Sequence, residues 1–145
     1  MNSEMRRSLD GLIQWYESLC LENVGEVGRY YAIKAHFIDP FNDVLGVPAI
    51  EHIFRHMFTQ VDAPRFRITD RTEGEDVAVL VWVFSFRSHG RERAITGTSV
   101  LRFDEACRVI EHRDFWDPAR ELYGDIPLLG AILRWIARRL SAVGH

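Results

Sequence analysis

The apolar residues of this chain change period at Pro64, and that change limits the fold more than any other feature. Beyond it, side chains alternate with a period of two over four segments, at about 65–73, 76–88, 92–103 and 107–116. That is the repeat of a β-strand, whose successive side chains point to opposite faces. The connections are short and turn-forming: Glu73-Gly-Glu-Asp76, Ser88-His-Gly-Arg91 and Asp104-Glu-Ala-Cys107. Turns of this length join antiparallel neighbours, so the segments should form a meander. Upstream, Leu9, Leu12, Ile13, Tyr16 and Leu19 share one face at 3.6 residues per turn, which predicts a helix with Tyr16 pointing inward. Asn23 is a suitable cap for a short second helix running to about Ala35, although Gly25 and Gly28 weaken it. Pro48 opens a third helix with Ile50, Ile53, Phe54, Met57 and Phe58 as its stripe, ended by Asp62-Ala-Pro64. Helices first and an antiparallel sheet afterwards is the α+β arrangement.

The length of 145 residues suits one domain, 1–145, without repeats or linkers. Eighteen basic against 21 acidic residues leave a net charge of −3, which argues against a nucleic-acid partner. No apolar run reaches membrane-spanning length, the first residues lack the continuous apolar stretch of a signal peptide, and two cysteines have no framework spacing. The cytoplasm is the expected compartment. Segment 76–84 is apolar on both faces, Val77, Val79, Val81 and Val83 alternating with Ala78, Leu80, Trp82 and Phe84. A second covered face predicts a homodimer through the sheet. From Pro127 to about Ala142, Leu128, Leu129, Ile132, Leu133, Ile136 and Leu140 oppose Arg134 and Arg138, a basic amphipathic helix. It is expected to pack on the body or the dimer mate; a lid and a membrane-surface contact are the alternatives.

Several chemistries have no motif here: there is no Gly-rich phosphate loop, no nucleophile elbow and no Cys-x-x-Cys pair. His52 and His56 stand at a metal-ligand spacing, but on the side opposite the apolar stripe and without a third ligand, so neither metal nor cofactor is expected. More informative are polar residues in apolar surroundings. Asp39, in His36-Phe-Ile-Asp-Pro-Phe41, is either a carboxylate facing the interior, and then a proton acceptor, or a turn residue. On the last strand, alternation puts Ile110, His112, Asp114 and Trp116 on one face, a His and a carboxylate about 7 Å apart along the strand. Trp82, Phe84 and Phe86 share a face of the second strand, as core or as a wall for a ligand.

Gln14-Trp-Tyr-Glu-Ser-Leu19, Phe37-Ile-Asp-Pro40, Val47-Pro-Ala-Ile50 and Ser99-Val-Leu-Arg-Phe-Asp104 together resemble the nuclear-transport-factor-2-like superfamily, and within it ketosteroid isomerase and the SnoaL-like polyketide cyclases. The resemblance covers about residues 8–118. It implies a cone, a curved antiparallel sheet wrapped around three helices with a deep pocket at one end, to which residues 124–145 add a helical extension. It makes Asp39 the counterpart of the isomerase base and Tyr16 of the tyrosine that donates to the enolate oxygen. Ser99 stands where the isomerases have a protonated Asp as second donor. The cyclases and epoxide hydrolases of the superfamily carry working carboxylates on interior strands, which His112 and Asp114 are similar to. The implied function is cofactor-independent acid/base chemistry, isomerase- or cyclase-like, on a small apolar carbonyl or polyketide-like molecule held by Trp82, Phe84, Phe86, Trp116 and Phe54. A non-catalytic ligand-binding or dimerisation module and an epoxide-hydrolase-like enzyme are the alternatives.

Overall fold

The computed structural model describes residues 1–121 and 127–141. The chain divides into two compact units, Met1–Phe115 and Trp116–His145.

In the first unit, α1 (Ser3–Glu17) starts where the Asn2 side chain accepts a hydrogen bond from the Met5 amide at 2.8 Å. Such a cap satisfies one of the amides a helix start leaves unpaired. Leu9, Leu12, Trp15 and Tyr16 form its buried face, confirming the inward direction of Tyr16. Arg71 ties the helix to the sheet, bonding Asp10 at 2.6 Å and Glu73 at 2.5 Å, while Arg6 reaches the same Glu73 at 2.8 Å. The long helix α3 (Val47–Gln60) has Pro48 in its first turn, as expected, and buries Ile50 and Phe54.

The helix expected from Asn23 to Ala35 is corrected. A 3-10 turn at Val24–Glu26 and one α-turn, α2 (Val27–Tyr30), are followed by a strand, β1 (Tyr31–Ile38), and a short edge strand, β2 (Asp43–Leu45). The physical reason lies in the side chains. Residues 31–38 are mainly aromatic and β-branched or small, and Tyr31, Ala35 and Phe37 bury against the core while Ile33 and Lys34 stay exposed. Gly25 and Gly28 leave too little helical preference upstream to extend through them.

The four later strands are β3 (Asp62–Glu73), β4 (Val77–Ser88), β5 (Arg91–Phe103) and β6 (Val109–Phe115), an antiparallel meander as the turn spacing predicts. The sheet order is β2-β1-β6-β5-β4-β3. Its one departure from antiparallel pairing is β1, which runs parallel to β6 with Phe37 beside His112. Helices and the concave side of this curved sheet enclose Leu9, Leu12, Ile50, Leu80, Leu101 and Val109. On β4 both faces are apolar: Ala78, Leu80 and Trp82 are buried inward, and Val77, Val79, Val81 and Val83 are half-buried on the other side.

Two local features set the geometry of the site. The register of β5 against β6 shifts between Arg102 and Phe103, so Val109 and His112 both face inward and Ile110 is turned out, 42% exposed. The expected common face of Ile110 with His112 and Asp114 is therefore corrected: a bulge inserts one residue and breaks the alternation. The second feature is Gly97, opposite Trp82, where a β-carbon would overlap the six-membered ring of the indole. Its missing side chain lets Trp82 lie across β5. Gly97→Ala should displace that ring and cost about 1–3 kcal/mol, read as a lower urea midpoint and a changed tryptophan emission maximum.

The second unit holds α4 (Pro118–Glu121) and α5 (Pro127–Leu140), in which the Arg139 guanidinium lies 5.0 Å over the Trp135 ring. The Leu128 side chain of the expected stripe, and residues 124–126 and 142–145 of the expected extension, lie outside the described residues. Among the described residues no helix is long and apolar enough to cross a membrane.

Candidate active site

Six side chains from α1 and four strands meet inside the first unit in one hydrogen-bonded chain. Tyr16 from α1 and Tyr31 from β1 place their hydroxyls 2.5 Å apart. Tyr31 in turn lies 2.7 Å from His112 Nδ1, with Tyr16 farther off at 3.4 Å. On its other side His112 Nε2 is 2.6 Å from Asp114 Oδ1. The same oxygen accepts the Ser99 hydroxyl, and Ser99 accepts the Trp82 indole N–H at 2.9 Å. The indole reaches that hydroxyl because Gly97 leaves it room. The His112 ring is held by π-contacts as well, stacked on Tyr31 at 6.0 Å and 12° and packed 4.5 Å from Phe37.

Burial grades along this chain. Tyr16, Tyr31, Trp82, Ser99 and His112 are all buried, whereas the Asp114 side chain keeps 16% of its exposure. No buried side-chain nitrogen or oxygen among the described residues lacks a partner. Burial, which disfavours a phenolate, pushes both tyrosines well above the usual phenol range, and the carboxylate of Asp114 pushes the same way. Their hydroxyls stay protonated at any physiological pH. Because the folded-state values are raised, their stabilisation is complete below pH 10 and is lost as pH rises beyond it, where the unfolded chain ionises first. Stability should fall by about 1.4 kcal/mol per pH unit for each of the two tyrosines above pH 10. Urea unfolding between pH 9 and 11 checks this, and Tyr16→Phe should remove about half of the slope.

Asp39 stands apart from the chain. Its Oδ1 accepts the amides of Phe41 at 2.8 Å and Asn42 at 2.6 Å, and the Asn42 side chain adds bonds at 3.0 and 3.1 Å. This is the turn geometry that Asp before Pro favours. Asp39 follows Ile38, the last residue of β1 in register with β6. Phe54 is packed among Trp15, Tyr16 and Phe37 at centroid distances of 5.5, 6.4 and 6.0 Å. Phe84 and Phe86 continue from Trp82 along the concave face, 5.2 Å apart and stacked, and Phe66 of β3 stacks on Phe84 at 4.7 Å. Trp116, the remaining aromatic expected here, begins the second unit. His52 and His56 are exposed on α3, their rings 6.0 Å apart. A groove of about 490 Å³ opens between α1 and residues 23–30, past Arg7, Trp15, Arg29 and Tyr30, and no member of the hydrogen-bonded chain lines it.

A family model for the SnoaL-like domain matches residues 12–112. The chain belongs to the SnoaL-like family. Solved structures share the fold of this SnoaL-like protein at low identity. A nuclear-transport-factor-2-like protein of unknown function from Burkholderia pseudomallei superposes with a TM-score of 0.73 at 15% identity, over 84% of this chain and 97% of that one. A Shewanella denitrificans protein described as a SnoaL-like polyketide cyclase gives 0.69 at 17% identity, over 87% and 98%. A Catenulispora acidiphila protein with a ketosteroid isomerase-like fold, solved with trimethylamine, gives 0.68 at 14%, over 85% and 92%. At such identities the likeness is one of fold alone. No curated protein matches the sequence.

Sequence reasoning about this SnoaL-like domain missed Tyr31, which the expected second helix removed from consideration, and the indole N–H of Trp82, taken only as apolar surface. The signal for both was available in principle: a polar-tipped aromatic on an inward strand position needs a partner for its donor.

Proposed function

We propose that this SnoaL-like protein is a cofactor-independent enzyme that moves a proton on a small, flat, largely apolar carbonyl or polyketide-like molecule, with Asp114 as the base. The observation that carries the reading is the unequal use of the two carboxylate oxygens. Oδ1 takes both His112 and Ser99, while no donor among the described residues reaches Oδ2, and Asp114 is the one member of the chain whose side chain is only partly buried. A carboxylate held by one oxygen at the rim of an apolar interior is positioned to accept a proton through the other. Trp82, Phe84, Phe86 and Phe66 supply a continuous aromatic wall beside it, the indole edge-on to Phe66 and the three phenyl rings stacked, which suits a largely apolar substrate. Asp39, whose oxygens serve its own turn, is assigned to structure.

The test is a tryptophan-fluorescence titration with a flat polycyclic phenol as an enolate mimic. The wild type should bind it, and Asp114→Asn should bind it about tenfold more tightly, because removing a like charge favours the phenolate. Equal binding by both proteins would favour a ligand-binding module without chemistry.

The half-buried valines on the outer side of β4 support a homodimer through the sheet. Val81→Glu should then lower the sedimentation mass from twice 16.9 kDa to the single-chain value.

A further inference from the structure

The direction of every hydrogen bond in the buried chain can be settled by counting protons. An indole N–H only donates, so the Ser99 hydroxyl accepts from Trp82 and spends its own proton on Asp114. On the other side the count turns on Tyr16. Among the described residues its hydroxyl proton can reach only the Tyr31 oxygen at 2.5 Å or, poorly, His112 Nδ1 at 3.4 Å. If Nδ1 carried a proton, Tyr31 would have to accept it and turn its own proton to Tyr16, and the Tyr16 proton would be left buried without an acceptor. An unpaired buried donor costs about 1–3 kcal/mol. With Nδ1 bare, each proton has a partner: Tyr16 donates to Tyr31, Tyr31 to Nδ1, and Nε2–H to Asp114.

We infer that Tyr31, aligned by the Tyr16 hydroxyl, is a positioning residue that serves the His112–Asp114 pair: its donation to Nδ1 places the His112 proton on Nε2, so that Asp114 Oδ1 is permanently engaged and Oδ2 is left to the substrate. This rests on the reading of Asp114 as the base and deepens it, because it assigns Tyr31 a role and gives Tyr16 one other than donation to a substrate oxygen. Both tyrosines remain phenols throughout, since burial holds their ionisation far above neutrality. Among the described residues, the titratable groups that contact the imidazole are these two and Asp114, and its remaining close ring neighbour is Phe37.

The experiment is a long-range proton–nitrogen NMR correlation on the full chain labelled with ¹⁵N-histidine, His112 being assigned by its loss in His112→Gln. At pH 7 the wild type should show Nε2 protonated and Nδ1 bare, with a downfield Nε2 proton. In Tyr31→Phe the donor to Nδ1 is lost, and the Nδ1 resonance should move downfield, because an accepted hydrogen bond no longer shields it. Tyr16→Phe keeps the Tyr31 bond and should leave the Nδ1 resonance near its wild-type position. An imidazolium or an Nδ1–H tautomer in the wild type overturns the inference, as does an unmoved Nδ1 resonance in Tyr31→Phe. The wild-type spectrum decides the tautomer even if a variant fails to fold. Turnover plays no part in this measurement, so a failure of Asp114 as base, read from Asp114→Asn activity, stays separate from a failure of the tyrosine chain.

Discussion

Asp114→Asn is expected to lower proton transfer by about 10²- to 10⁴-fold, the usual contribution of a positioned general base. The assay is exchange of the proton beside the carbonyl of a flat polycyclic ketone in D₂O, followed by mass. The amide keeps the shape of the carboxylate and can still accept from His112 and Ser99, so the fold and its unfolding midpoint should stay near wild type. Asp39→Asn is the comparison that gives the result its meaning. Its side chain organises residues 39–42, and more than half of the exchange rate should survive its replacement. The opposite outcome, with Asp39→Asn inactive and Asp114→Asn normal, would move the chemistry to the end of β1. Normal rates in both would remove the enzyme reading.

Phe54→Ala should cost about 3–5 kcal/mol, the range for deleting a large buried aromatic. The ring meets Trp15, Tyr16 and Phe37 at once, linking α1, α3 and β1, so the space it vacates has stiff walls that relax little. A typical domain has only about 5–15 kcal/mol in hand, and the variant should therefore unfold at a much lower urea concentration. Phe54 was expected to touch a ligand. If it does, binding of the polycyclic phenol by folded Phe54→Ala would drop by an order of magnitude or more; if it acts as packing, affinity stays within about threefold while stability falls.

Much of this fold was legible because two strong periodicities lie side by side in the chain. The α1 stripe placed Tyr16 inward correctly, and the short turns fixed β3 to β6 as a meander. Alternation likewise paired His112 with Asp114. What escaped was decided by tertiary contacts. Residues 31–38 have no clean alternation, since β1 slips register between Tyr31 and His36, and the weak pattern after Asn23 resembles a helix as much as a strand. The bulge at Ile110 adds one residue whose only signature is in the facing strand. Reading Tyr31 as helical also hid the connection between Tyr16 and His112, because the residue that joins them was on the wrong element.

The parallel seam between β1 and β6 brings residues near 31 beside residues near 110, and this sets an order of events for a chain emerging from a ribosome. Pairings between segments so far apart form late, since closing a long loop costs entropy before any contact repays it. Until the final strand has been made, Tyr16 and Tyr31 have no imidazole to donate to, and the concave side of β5 presents Ser99 without its carboxylate. A nascent or C-terminally clipped chain should thus carry an open, aromatic-lined sheet with an unpaired rim, the kind of surface that chaperones hold and that aggregates form from. Completion of the site and closure of the sheet are then one and the same step.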